Sequence, residues 1–114
     1  MTDQPRLNLR SFPAGENSRV DAYWRDDELA KGPCMSLYVG SVEVMRFDLD
    51  PDHPHEHWAT GERERMYYPS GVDPFMLASH SLTWRHQHAM TLVGVYGESD
   101  GIEGAAAEAV AYLR

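Results

Sequence analysis

The amino-acid sequence predicts an α+β protein in which two consecutive antiparallel β-hairpins, about residues 34–68, pack with a long helix, about residues 74–93, and a short C-terminal helix. Three observations lead to this class. Apolar residues alternate with charged ones before residue 68, and residues typical of helix starts and stops bracket the stretch that follows. The chain then ends in an alanine-rich segment, which has high helix propensity.

The first hairpin joins residues 34–39 to residues 42–49 through Gly40-Ser41. Glycine at the first central position of a two-residue turn favours type II′, because that position requires a positive φ. Since alternate residues of a strand share a face, Arg46 and Asp48 lie together on one side of the second strand. The turn predicts two cross-strand pairs: Leu37 with Val44, and Tyr38 with Glu43.

The second hairpin is predicted from residues 55–59 and 62–68, which flank Thr60-Gly61. With this pair as a two-residue turn, Glu56 faces Arg65 as a cross-strand charge pair. Four possible metal ligands then point to one side: His55, His57, Glu62 and Glu64. The opposite side carries three residues that are candidates to bind a small anion: Arg63, Arg65 and Tyr67. The alternative is that they form a solvated, salt-bridged face of the strand.

The long helix is predicted to begin at Asp73-Pro74, because Asp is a good N-cap and Pro suits the first helical position. Gly94 ends it. Residues 82–92 also alternate as a strand would, but an uninterrupted run of about twenty residues is long for a strand. The helix is therefore favoured over the strand.

The sequence signals in the segment before the hairpins allow more than one structure. Residues 19–30 fit a helix that follows Ser18 and ends at Gly32-Pro33, with a loop pinned by Trp24 as the alternative. Residues 1–17 are predicted to form a mobile arm or an edge strand. The whole chain, residues 1–114, is predicted to be a single domain, since its length suits one core.

Composition excludes several classes of protein. Ten Lys and Arg against eighteen Asp and Glu give a net charge of −8, which disfavours nucleic acid as a partner. The sequence has no apolar run near the length of about 18 residues that a membrane span needs, and no secretory signal is evident. A single cysteine, Cys34, suits a reducing compartment, so a cytoplasmic location is expected.

The histidines His53, His55 and His57 occupy every second position. On a strand, two such imidazoles project side by side and can reach one metal ion. With Glu62 or Glu64 they form a two-histidine, one-carboxylate set, which suits zinc, nickel, manganese or iron. Pro54 argues against His53 on the same strand, because proline lacks a backbone N–H. The alternative is a set of polar residues beside a turn.

Two function hypotheses follow. The first is divalent transition-metal binding by this His/Glu cluster. The second is a non-catalytic homodimeric binding or structural module without a metal. A homodimer joined through an exposed strand, or through an aromatic patch of Trp58, Tyr67 and Tyr68, is expected in either case. The sequence leaves open whether the protein is an enzyme, and it identifies no substrate.

Part of the histidine-rich segment resembles the first conserved motif of cupins. The matching residues are His55-x-His57, Glu62 after four intervening residues, and Gly71. The resemblance implies a β-barrel in which the two histidines and the glutamate bind a metal. The chain departs from that pattern at Leu49, where a glycine is expected, and at Pro74, where the second motif needs a histidine.

A wider stretch, residues 32–94, is similar to a group of small uncharacterised bacterial proteins. The residues that carry this resemblance are Gly32-Pro33, Arg46-Phe47-Asp48 and His53-Pro54-His55. In that group a hairpin whose second strand ends in Arg-Phe-Asp precedes a histidine-rich loop and a helical half. The resemblance implies a fold more than an activity.

Overall fold

The computed structural model describes residues 5–28, 31–58, 65–98 and 100–114. Six strands form one antiparallel sheet in the spatial order β1-β2-β3-β4-β5-β6, and two helices follow them in the chain. The α+β class is confirmed, and β1 and β2 extend the sheet beyond the predicted hairpins. The elements are β1 (Leu7–Pro13), β2 (Ser18–Asp26), β3 (Lys31–Val39), β4 (Val42–Asp48), β5 (His55–Trp58), β6 (Arg65–Tyr67), α1 (Pro74–Val93) and α2 (Ile102–Leu113).

The helix predicted before the first hairpin is wrong, because this segment is the strand β2. It pairs with β3 along its whole length and with β1 on its other side. Val20 and Ala22 face the core, yet Asp21 and Tyr23 on the other face are also buried. A strand buried on both faces lacks a clear apolar–polar alternation, so its periodicity is a weak signal. Residues 29–30 lie outside the described residues.

The first hairpin, β3 and β4, closely follows the prediction. Gly40 has a φ of 58°, the positive value that the first central position of the turn requires. Tyr38 pairs with Glu43 as predicted. Next to that pair the register shifts by one residue. Leu37 therefore pairs with Met45 and not with the predicted Val44.

The second hairpin consists of β5 and β6, and its register differs by one residue from the predicted one. His57 pairs with Arg65, and His55 pairs with Tyr67. An odd number of residues separates His57 from Arg65, whereas the predicted two-residue turn requires an even number. That turn falls within residues 59–64, which lie outside the described part of the chain.

This register changes which side chains share a face. Arg65 was predicted opposite Glu56, and that pair is not formed. Residues directly opposite one another in an antiparallel pair point to the same side of the sheet. Arg65 and Tyr67 therefore lie on the same face as the two β5 histidines, and the prediction that placed them on the opposite face was wrong.

The helix α1 is confirmed with the predicted bounds. Asp73 caps it, since its Oδ1 accepts a hydrogen bond from the Phe75 N–H at 3.0 Å, and Gly94 closes it with a φ of 71°. The strand alternative is wrong, because these residues are helical. The strand pattern would place Trp84 on the same apolar face as Leu82, but Leu82 is buried and Trp84 is 81% exposed. The buried side chains recur instead at helical spacing: Ala78, Ser81, Leu82, His86, Ala89 and Met90.

The second helix, α2, begins slightly before the predicted alanine-rich segment. Its buried alanines, Ala105, Ala106 and Ala109, allow the helix to approach the sheet closely. Within the described ranges, no helix is long and apolar enough to cross a membrane.

The two faces of the sheet differ in chemistry. Apolar side chains from one face of the sheet join those of both helices in a single core; its sheet residues include Val20, Ala22, Met35, Leu37, Met45 and Phe47. By alternation, the opposite face of the strands carries hydrogen-bonding and charged groups. We call it the polar face; its members include Asp21, Tyr23, Cys34, Ser36, Arg46, Asp48, His55, His57, Arg65 and Tyr67.

The aromatic patch predicted from Trp58, Tyr67 and Tyr68 is not formed. Trp58 and Tyr68 are partly buried and pack against the core, whereas Tyr67 lies on the polar face and is 60% exposed. The strands β1 and β6 form the two edges of the sheet. The homodimer stays a prediction.

Candidate metal centre

Three potential metal ligands meet on the polar face of two adjacent strands. Asp48 is the last residue of β4, and it pairs directly with His55 at the start of β5. His57 lies two residues further along β5, so its side chain points to the same side. The turn between β4 and β5 returns the chain at the level of Asp48, which brings both imidazoles to this carboxylate.

The ligand atoms of the three residues form a small triangle. Asp48 Oδ2 lies 3.0 Å from His55 Nε2 and 3.2 Å from His57 Nε2, and the two nitrogens are 2.9 Å apart. Ligand atoms around a tetrahedral zinc ion, at 2.0–2.1 Å from it, lie about 3.3 Å from each other. The triangle thus approximates one face of such a tetrahedron, and this buried group could hold a metal ion.

His55 is oriented by the turn that precedes it. Its Nδ1 lies 2.7 Å from the backbone carbonyl oxygen of His53, so the Nδ1–H donates to that oxygen. In a neutral imidazole the other nitrogen, Nε2, then carries the lone pair that a metal needs. His53 thus contributes its backbone, and among the described residues its imidazole is not part of the ligand group. The prediction of His53 as a ligand is not supported by this arrangement.

His57 has polar neighbours within the cluster. The residue is 7% exposed, and its Nδ1 is buried without a hydrogen-bond partner among the described residues. Its Nε2 lies within hydrogen-bond distance of both His55 and Asp48. The ring therefore directs Nε2 toward the position at which a metal ion would bind.

Asp48 is fixed from the other side by Cys34. The Cys34 S–H donates to Asp48 Oδ1 at 3.4 Å, which leaves Oδ2 for the histidines. Burial, together with the nearby Asp48 charge, raises the pKa of the Cys34 thiol. The thiol therefore stays protonated at neutral pH, as expected for a buried strand residue and not for a nucleophile.

The charged forms of Asp48 and His55 stabilise each other, and the charge of Arg46 adds to the effect on Asp48. Burial disfavours the Asp48 carboxylate, but hydrogen bonds from His55 and His57 and the charge of Arg46 outweigh it, so its pKa lies below the usual range. The hydrogen bond to Asp48 raises the pKa of His55, although burial opposes this. Arg46 Nε lies 3.6 Å from Asp48 Oδ2.

These shifts predict how the stability of the metal-free protein depends on pH. The raised pKa of His55 adds stability that is complete below about pH 6.5, its ordinary value, and is lost as pH rises through the folded-state pKa. The lowered pKa of Asp48 adds stability that is lost only in strong acid. We therefore expect the melting temperature, measured with a chelator present, to fall as pH rises above about 6.5. His55→Gln should remove this slope, and an unchanged slope in that variant would contradict the assignment.

The carboxylate of the cluster differs from the predicted ones. The predicted ligands Glu62 and Glu64 lie outside the described residues, as does Arg63. Their predicted roles are therefore not tested by the structure. Sequence reasoning missed Asp48 as a ligand. A signal was present: Asp48 lies on the polar side of its strand, at the end that leads into the histidine-rich turn.

The other face of β5 carries a second buried carboxylate, Glu56, which is 1% exposed. Three neutral groups donate to it at 2.8 Å: Trp58 Nε1 and Ser81 Oγ to Oε2, and the Tyr68 hydroxyl to Oε1. Burial and the Glu56 charge raise the pKa of Tyr68, so that its hydroxyl remains a donor. Ser81 lies on α1, and Glu56 therefore links β5 to the helix.

Two further histidines, His86 and His88, stand two residues apart, and among the described residues they belong to no group of metal ligands. They lie on a helix, where residues two apart point in different directions. His86 is buried, and its Nδ1 donates to the carbonyl oxygen of Leu82 at 2.8 Å. His88 packs its ring against Trp58, with the centroids 5.6 Å apart.

Comparison with models of protein families, with curated proteins and with solved structures finds no match to this chain. The resemblances to the first cupin motif and to the bacterial group therefore stay untested.

Proposed function

We propose that the protein binds one divalent transition-metal ion through Asp48, His55 and His57. The observation that carries the proposal is the triangle of Oδ2 and two Nε2 atoms, none more than 3.2 Å from another. Two neutral imidazoles and one carboxylate are a ligand set used by zinc and by non-haem iron, and imidazole also suits nickel. Manganese is a further candidate through its preference for carboxylate.

The arrangement favours binding because the ligands are already oriented. His55 is held by a backbone carbonyl, and Asp48 is held by Cys34. Such outer contacts fix the ring orientation and the ligand atom, and their loss commonly lowers metal affinity 10–100-fold. Three protein ligands also leave a coordination position open, as in catalytic sites and unlike closed structural sites.

Calorimetric titration of tag-free protein with zinc, nickel, manganese and ferrous iron tests the proposal. We expect one ion per chain at about pH 7.5, bound more tightly than about 100 μM, which is roughly −5.5 kcal/mol. Binding should weaken as pH falls through the pKa of His55, which lies above its ordinary value of 6.5, since protons compete for the imidazoles. If no ion binds this tightly, the cluster is a polar feature of the sheet, and the module without a metal becomes the better hypothesis.

A further inference from the structure

Two arginines flank the candidate metal centre on the polar face. Arg46 on β4 and Arg65 on β6 pair directly with His57 from its two sides. The Cβ atoms of directly opposed residues lie about 4.5–5.5 Å apart. Both arginines therefore project from positions next to His57, on the side of the sheet where the ligand atoms meet.

Two exposed side chains of β6 lie beside the site in the described part of the chain. Arg65 and Tyr67 are exposed, in contrast to the buried His57 and Asp48. The Tyr67 ring packs beside His55, with the ring centroids 5.1 Å apart, and so forms a wall next to the ligand triangle. We expect a small molecule to reach the additional coordination position between Tyr67 and Arg65.

We propose that the metal centre takes a small oxyanion, through a carboxylate or phosphate-type group, as its additional ligand, held between the metal ion and the guanidinium groups of Arg46 and Arg65. The inference rests on the proposed metal binding and names the class of ligand that completes the site. It also corrects the predicted anion site: Arg65 and Tyr67 act beside the histidines and not on a separate face, and Arg63 lies outside the described residues.

The charges at the site support an anionic ligand. Among the residues that the structure describes, a divalent ion, Arg46, Arg65 and the Asp48 carboxylate leave an excess of positive charge around His57. Glu43, also on the polar face, does not relieve it, because its Oε2 accepts from Arg6 at 3.1 Å and from Ser36 at 2.8 Å. Arg46 Nε, for its part, is buried and has no hydrogen-bond partner within the described ranges. A planar guanidinium is well suited to bind a carboxylate or phosphate.

Metal and anion binding should therefore assist each other. Without an anion, the arginines repel the incoming cation; with one, the anion neutralises the excess charge and occupies the open position. Coupling between two ligands is reciprocal, so the anion must raise the metal affinity by the same factor by which the metal raises the anion affinity.

The experiment measures the cobalt or zinc dissociation constant at constant ionic strength, without an anion and with acetate or methylphosphonate as the probe. We expect at least a tenfold gain in metal affinity with one of the two anions, which corresponds to about 1.4 kcal/mol. The two probes separate a carboxylate from a phosphate-type ligand. Acetamide, which has the shape of acetate without its charge, should give no gain. The visible spectrum of bound cobalt should change with the anion and not with acetamide.

Arg65→Gln tests the role of the arginine, and Arg85→Gln, an exposed arginine on α1, is the matched control. Without an anion, Arg65→Gln should bind metal at least as tightly as the original chain. With an anion, its metal affinity should improve less than about threefold, below the roughly 5–150-fold range typical of coupling. Arg85→Gln should keep the full coupling. The inference is overturned if neither anion changes the metal affinity, or if Arg65→Gln shows the same coupling as the original chain. In both cases the proposed metal site is unaffected. A protein that binds no metal overturns both.

Discussion

His57→Ala is expected to weaken metal binding on the order of 100-fold or more, since even the loss of an outer-shell contact commonly costs 10–100-fold. The substitution removes one of the three ligand atoms and leaves a site with one imidazole and one carboxylate. The atom lost, His57 Nε2, lies 2.9 Å from His55 Nε2 and 3.2 Å from Asp48 Oδ2. Calorimetric titration, or competition with a coloured chelator where binding is tight, measures the loss.

His53→Ala is the matched control for this prediction. It removes an imidazole from the same turn but keeps the backbone carbonyl oxygen that accepts from His55. We expect its metal affinity to change by less than about threefold, under 1 kcal/mol. Equal losses in the two variants would show that the metal is held elsewhere, or that His53 is a ligand after all.

Glu56→Ala is expected to be the most destabilising single change near the site, lowering the free energy of unfolding by about 3 kcal/mol or more. The substitution leaves three donors without their acceptor: Trp58 Nε1, the Tyr68 hydroxyl and Ser81 Oγ. It also opens a cavity between β5 and α1. Urea unfolding of the metal-free protein measures the effect, and the melting temperature should fall on the order of 10 °C.

Two milder variants define what Glu56 contributes. Ser81→Ala removes one of the three donors and should cost about 1 kcal/mol, the usual net value of a single hydrogen bond. Glu56→Gln keeps the shape and one oxygen acceptor, so its cost should lie between those of the other two variants. A loss below about 1 kcal/mol for Glu56→Ala would mean that the carboxylate does not link the strand to the helix.

The parts of the fold that local signals determine were predictable. The helix α1 has an Asp-Pro start and a Gly stop, and the turn at Gly40 has the residue that its positive φ demands. Each of these signals lies within a few residues of the feature it specifies. The strand β2 has no such signal, because its state depends on pairing with β1 and β3 and both of its faces are buried.

The candidate site was predictable in part for the same reason. That His55 and His57 share a face follows from alternation within a single strand. The identity of the carboxylate depends on the register between strands, and a shift of one residue changes which side chains share a face. The observed register places Arg65 opposite His57, and the neighbouring strand β4 supplies Asp48. Periodicity within one strand cannot specify either relationship.

The order of strands in the sheet, identical to their order in the chain, bears on how the molecule folds. Each strand pairs with its neighbour in sequence, so each pairing closes a short loop and costs little chain entropy. Proteins dominated by such local pairings fold quickly. The proposed ligands Asp48, His55 and His57 belong to a single pairing, β4 with β5. The three proposed ligands can therefore come together once that one pairing has formed.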